Sequence, residues 1–271
     1  MQDLQAMFSL QFMRNAFTAG LFLSILCPSI GLFLVLKRYS MIGDTLSHSS
    51  FAGVAIGLVI GYNPILTALV FTTICAVLIE FLRGYFKKYS ELVMNIILTL
   101  SLGIAIILVS TGKTSVKVSS YLFGSILTVS AEDILLIIIA SIVCLLILGI
   151  LYKKLLYVTF DEEGARIAGI NVKLINYLFT IVVGVTISMS IRIMGILVIS
   201  SIIVIPVAAA MQFRQSFFKT MIISIILGIV DVFLGLMFSF RYDSAPGGTI
   251  ALTTVATLVI SIILGSILKS D

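Results

Sequence analysis

Long apolar runs separated by brief polar interruptions dominate the pattern of this chain. They fall at roughly 14–36, 43–61, 64–82, 91–110, 131–151, 173–190, 195–211, 220–239 and 249–267. The runs are continuous rather than alternating, which favours helices over the period-two strands of a barrel. Each reaches, or nearly reaches, the ~20 residues an α-helix needs to cross a hydrocarbon core of ~30 Å. The pattern predicts an all-α fold, a polytopic membrane helical bundle of about nine transmembrane helices (eight to ten). Arg192 interrupts the 173–211 region, which reads as two spans or as one span plus a half-crossing.

Composition strengthens this picture. The 271 residues are 60% hydrophobic and 11% charged, with a mean hydropathy of +1.24, whereas soluble domains carry ~25% charged residues. No polar block is long enough for a second unit, so residues 1–271 read as a single transmembrane domain surrounded by membrane lipid. The net charge of +5 does not point to nucleic acid, because the basic residues sit in short clusters between apolar runs. Lys37, Arg38, Arg83, Lys87, Lys88, Lys153, Lys154, Arg214, Lys219 and Lys269 occupy one set of alternate connections; Lys113, Lys117, Arg192 and Arg241 occupy the other. The positive-inside rule then places the richer set, and the C-terminus, in the cytoplasm, and an odd number of spans places the N-terminus outside. Cys27, Cys75 and Cys144 are widely spaced within apolar runs, which suggests neither a disulfide framework nor a thiolate metal site. The opening "MQDLQAMFSLQFMRN" lacks the basic start and small-residue cleavage site of a removed signal peptide.

A few polar groups inside the apolar runs are candidates for chemistry. In "MIGDTLSHSSFAG" (41–53), Asp44 and the chain's single histidine, His48, stand at i and i+4 and share a helix face. A carboxylate and an imidazole suit a borderline divalent cation such as zinc, manganese or iron. The small residues around them allow close approach of a neighbouring helix or a wet path. The same spacing also fits a helix-capping aspartate beside a hydrogen-bonded core histidine, and spacing does not separate the two readings. Asp231, in "ILGIVDVFLGLMF", is either a further polar point on a pathway or an interhelical hydrogen-bond acceptor. "STGKT" (110–114) lacks the earlier glycine of a phosphate-binding loop, since that position is Ile107. "FDEEGARIAGI" (160–170) reads as a short helix with an acidic start, either solvated or docked on a partner. Pro206 within 195–215, and "RYDSAPGGTIAL" (241–252), read as bundle punctuation.

Taken in order, "LVLKRYSMIGDTLSHSSFAGVAIG", "SYLFGSIL", "FDEEGARIAGI", "GILVISSIIVIPVAAA" and "SAPGGTIAL" resemble the permease subunits of zinc/manganese/iron ABC transporters, from about Ala16 to Leu264. The resemblance implies an importer permease of the cell (cytoplasmic) membrane, working as a homodimer. It implies a cytoplasmic ATP-binding subunit, an extracytoplasmic metal-binding protein and no permanently bound cofactor. The divalent ion is then cargo, and ATP is bound only by the partner subunit. By position, Asp44 and His48 match the family's Asp and His on the metal route, with no catalytic residues. Asp161, Glu162, Glu163, Gly164, Ala165, Arg166, Ala168 and Gly169 match its coupling segment. Zinc-type members often carry a histidine where Ile97 stands and an aspartate where Ser125 stands; Asn95 is the nearest polar substitute. Zinc is favoured, with manganese and iron open.

Other classes fit less well. A stand-alone carrier or channel driven by ion gradients predicts metal flux without an ATP-binding partner. An intramembrane enzyme needs a fuller ligand or nucleophile set than one histidine supplies. A scaffold without transport leaves Asp44, His48 and Asp231 without a purpose.

Overall fold

The computed structural model describes residues 9–39, 41–86, 89–111, 120–125 and 131–267. The "STGKT" stretch, most of the Ser/Thr-rich connection at 111–133 and the basic residues Lys87, Lys88, Lys113, Lys117 and Lys269 lie wholly or largely outside these residues. The described residues form no strands; besides a helical stretch at 120–123 they include ten helices: α1 Gln11–Leu36, α2 Met41–Ile60, α3 Pro64–Tyr85, α4 Ser90–Ser110, α5 Ala131–Phe160, α6 Glu162–Ile167, α7 Val172–Met194, α8 Ile199–Met211, α9 Phe217–Tyr242 and α10 Pro246–Ile267. Every apolar run became a helix, as it must where lipid offers backbone groups no partner.

Seven of these helices, α1, α3, α4, α5, α7, α9 and α10, are long and apolar enough to cross a membrane. The expected count of about nine is not reached on that measure. α2 is diluted by Asp44, His48 and its serines, and α8 has only 13 residues, about 20 Å at 1.5 Å per residue. Arg192 does not break the 173–211 region. It ion-pairs with Asp133 at the head of α5, and α7 continues to Met194. The break comes at Gly195, whose φ of +73° suits glycine, and α8 starts four residues later.

The helices sort into an inner and an outer set. In α1 and α7, 72% of the apolar stretch is buried, against 22% in α5 and α10. Side chains such as Ile107, Leu135, Leu146, Ile150, Leu252 and Ile263 are exposed, giving an outer surface suited to acyl chains rather than water. Small residues set the inner contacts. A Cβ on Gly31 of α1 would run into the backbone oxygen of Ile203 in α8. Gly228 of α9 sits against Pro28 and the Ser24 carbonyl, the oxygen freed where Pro28 has no amide hydrogen to donate. α2 lies against α3 through Gly53 and Gly57 and joins α4 through a Ser49–Ser101 hydrogen bond of 2.7 Å. The α2–α3 turn is closed by Asn63, whose Oδ1 accepts from Ile65 N at 2.9 Å, followed by Pro64 at the first helical position.

Candidate functional site

The head of α2 holds both candidate ligands. From Met41 to Ala55 only Met41, Asp44 and His48 are not buried, and these three lie at i, i+3 and i+7 on one narrow face. The other faces are taken up by α3, α4 and α7. Serines on the covered faces return their protons to the helix: Ser47 Oγ donates to the Gly43 carbonyl at 2.7 Å and Ser49 Oγ to the Thr45 carbonyl at 2.9 Å. The polar side chains left on the open face are therefore Asp44 and His48.

Asp44 is exposed, and its Oδ1 accepts a hydrogen bond from Ser200 Oγ in the first turn of α8. The half-buried positions of α8 begin there, at Ser200 and Ser201, and continue through Val204, Ile205 and Ala208. The open faces of α2 and α8 thus meet at the Asp44–Ser200 bond. His48 is half-buried, and its Nδ1 is buried without a hydrogen-bond partner among the described residues. Such a group costs ~1–3 kcal/mol when left unpaired. A core histidine held by hydrogen bonds at this nitrogen, the alternative left open by spacing, is not what this arrangement shows. Among the described residues no group of three or more His, Cys, Asp and Glu side chains comes together. Within one chain, Asp44 and His48 are thus joined by no third side chain of these types.

The other candidates lie elsewhere. Asn95 is exposed on α4 and lines an open groove of about 1170 Å³ with Lys37, Arg38, Ser90 and Thr99; neither Asp44 nor His48 lines it. Ile97 is buried on the opposite side of α4. Asp231 is fully buried, with Oδ1 accepting from Thr257 Oγ1 and its backbone oxygen accepting from Thr253 Oγ1 at 2.9 Å. It therefore bonds α9 to α10, while its Oδ2 has no hydrogen-bond partner among the described residues.

The 160–170 segment does form the short helix its sequence predicted. Asp161 caps α6 through a 2.8 Å bond from Gly164 N, and Glu162 pairs with Arg166 at 3.3 Å. Gly169, at φ +81°, ends it: Ile170 N donates to Ala165 O at 3.0 Å and Gly169 N to Arg166 O at 3.1 Å. Ala165 is buried against the bundle, while Ile167 is 88% exposed. Glu163, Ala168 and Gly169 are exposed beside it.

Sequence reasoning missed two features. Ser200 carried no signal beyond a serine at the start of an apolar run. The second is a polar cluster of Lys37, Glu80, Arg83, Asn176 and Thr180 at one end of the bundle. Arg83 looked like a loop charge, yet α3 extends past it to Tyr85 and its side chain is 11% exposed. Glu80 and Arg83 at i and i+3, and Asn176 and Thr180 at i and i+4, were the available signal.

With this geometry in view, comparison with known proteins is decisive. The profile of the ABC 3 transport family matches residues 9–265. The chain belongs to that family. It is 45% identical over 93% of its length to a Treponema pallidum (strain Nichols) protein named "Probable metal transport system membrane protein", covering 95% of that protein. It is 34% identical to the high-affinity zinc uptake system membrane protein ZnuB of Buchnera aphidicola subsp. Acyrthosiphon pisum (strain APS), over 90% of this chain and 94% of ZnuB. It is 28% identical to the manganese import system permease protein ScaB of Streptococcus parasanguinis, over 92% of this chain and 89% of ScaB. Among solved structures, PsaBC from Streptococcus pneumoniae in complex with Fab aligns with a TM-score of 0.85 and 27% identity, covering 95% of this chain and 93% of that one. The family member described here is thus an integral membrane protein, the permease of a zinc/manganese-type ABC transporter. In this family it is the translocation subunit, and the ATPase is a separate chain.

Proposed function

We propose that this permease imports a divalent metal ion along the open face of α2 and α8, with Asp44 and His48 as its ligands in transit. The carrying observation is the stripe itself: between Met41 and Ala55, an otherwise buried stretch leaves an exposed acid and a half-buried imidazole whose Nδ1 has no hydrogen-bond partner among the described residues. A route of this kind needs binding weak enough to release the ion, as conduction requires. Zinc is the favoured cargo and manganese the next, in line with the names of ZnuB and ScaB. α2 and α8 serve as further membrane elements, which brings the count to nine with the N-terminus outside and the C-terminus in the cytoplasm.

Two copies facing one another across the stripe bring together two aspartates and two histidines, a four-ligand set suited to such ions. α6 is the contact for the cytoplasmic ATP-binding subunit. Ile167 enters a pocket of that partner, and Glu163 and Arg166 surround the contact. An extracytoplasmic metal-binding protein supplies the ion from the other side.

The test is metal uptake into vesicles holding the permease with its ATP-binding subunit. The double variant Asp44→Ala/His48→Ala is expected to assemble normally and lose uptake of every ion offered. Wild-type uptake in that variant removes the site. Flux that proceeds without the ATP-binding subunit would instead favour a gradient-driven carrier.

A further inference from the structure

Several serine hydroxyls inside these helices return to their own backbone four residues back: Ser29 to Ile25 O at 2.6 Å, Ser188 to Gly184 O at 2.9 Å and Ser190 to Thr186 O at 2.8 Å. Ser200 does otherwise. From the first turn of α8, its Oγ donates across the helix interface to Asp44 Oδ1. The approach is close because Gly43, the neighbour of Asp44, has no side chain. A Cβ there would stand 3.3 Å from Ser200 Oγ and 3.6 Å from Ser200 Cα. The backbone that carries Ser200 is itself tied down. Ser201 N donates to Val198 O at 2.9 Å, and just before the turn Ile196 N donates to Tyr121 O at 3.1 Å. Ser200 is therefore presented to Asp44 from a fixed position, and one oxygen of that carboxylate is already engaged.

We propose that Ser200 is a positioning residue that holds Asp44 end-on, with Oδ2 as the oxygen that meets the ion, and that this bond sets a preference for zinc over manganese. The inference deepens the reading of Asp44 and His48 as ligands in transit, and rests on it. A carboxylate meets a cation through one oxygen or through both. With Oδ1 accepting the Ser200 proton, Oδ2 is left for the ion, and the hydrogen bond fixes the orientation in which it is offered. Aspartates that bind through one oxygen, two of them beside two histidines, make the four-coordinate set that zinc takes. Without the Ser200 hydroxyl, each aspartate brings a second oxygen. The set then moves towards the octahedral, oxygen-rich surroundings that suit manganese. Ser200 touches the ligand and not the ion. Its effect is on which ion is held, not on whether a route exists.

The test is uptake of zinc and manganese, offered singly and in competition, into vesicles holding the permease with its ATP-binding subunit; KM and kcat are read for each ion. Ser200→Ala is expected to raise KM for zinc about tenfold, the lower end of the ~10–100-fold effect of removing a metal ligand's hydrogen-bond partner. KM for manganese should stay level or fall, so the zinc-over-manganese ratio of kcat/KM drops about tenfold or more. Ser200→Thr, which keeps the hydroxyl, should restore the wild-type ratio. If Ser200→Ala does not assemble, Ser200→Thr and Ser200→Val, alike in shape and different in the hydroxyl, carry the same expectation between them. An unchanged ratio without the hydroxyl, equal losses for both ions, or a Thr variant that behaves as Ala does would each overturn the proposal. Asp44→Ala/His48→Ala, measured beside them, reports separately on the ligands. Wild-type uptake there removes the site itself, whereas lost uptake beside an unchanged ratio in Ser200→Ala removes the role of Ser200 alone.

Discussion

A buried polar atom without a partner lowers stability, and replacing it by an apolar group of similar shape is nearly neutral or stabilising. His48 Nδ1 is such an atom, so His48→Phe should change the unfolding free energy by no more than about 1 kcal/mol, with stabilisation the favoured sign. Metal uptake should nevertheless be lost. A calorimetric or fluorescence melt beside an uptake assay checks both halves; retained uptake would return His48 to the role of a packing residue. Lys37 offers a second test at this scale. Burial pushes its ammonium down to about 8, against the opposing pull of Glu80 and Glu162, with Arg83 adding to the depression. Asn176 and Tyr39 are its other polar and aromatic neighbours. The amine is charged below pH 8 and neutral above it. The cluster around Glu80 therefore loses a cation as pH rises through 8. Over the window from pH 8 up to the ordinary lysine value the unfolded chain binds more protons, so fold stability rises there. Lys37→Arg, charged throughout, should flatten that rise, checked by melts followed from pH 7 to the ordinary lysine value.

At the scale of elements, close packing and exposed tips make distinct demands. Gly31 leaves no room for a Cβ against the Ile203 backbone oxygen, so Gly31→Val must push α8 away from α1. A loss of about 1–3 kcal/mol, typical of overpacking, should appear as a lowered melting temperature in detergent. Ile167 is the reverse case, an exposed apolar tip on a capped six-residue helix. Ile167→Asp should leave the melt unchanged and weaken binding of the ATP-binding subunit at least tenfold in a pull-down titration. The helices themselves were legible in the sequence because lipid forces continuous apolar runs into helices. α6 was legible because Asp161 and Gly169 are cap signals with local causes. The break between α7 and α8 was legible as two separate runs, but not its place at Gly195 rather than Arg192, since what pairs with Arg192 is Asp133, distant in sequence and silent in any local pattern. Arg83 was misplaced for the same reason: its partners are a residue on its own helix face and the Tyr39 ring, and only folding reveals that they bury it. Asp44 and His48 could be chosen from sequence, but not the face that leaves them less covered than their neighbours, because burial of the rest of α2 depends on three other helices.

For the whole molecule, the decisive quantity is how many chains hold one ion. A single chain brings no third His, Cys, Asp or Glu to Asp44 and His48 among the described residues, and the stripe that carries them is not covered by its own helices. A facing copy related by two-fold symmetry would present the same two side chains to the same ion, the self-complementary arrangement that such dimers impose. This makes uptake depend on both copies in a way that can be counted. When wild-type and Asp44→Ala/His48→Ala chains are mixed equally before assembly, random pairing leaves about a quarter of the dimers with both sites intact. A shared site predicts that uptake falls with the square of the wild-type fraction. Two independent routes predict a linear fall, as does a monomeric permease. Uptake measured across a series of mixing ratios, with chain composition verified by mass spectrometry, separates the two curves most clearly at equal mixing. A linear series would leave Asp44 and His48 as ligands within one chain and would remove the symmetric site.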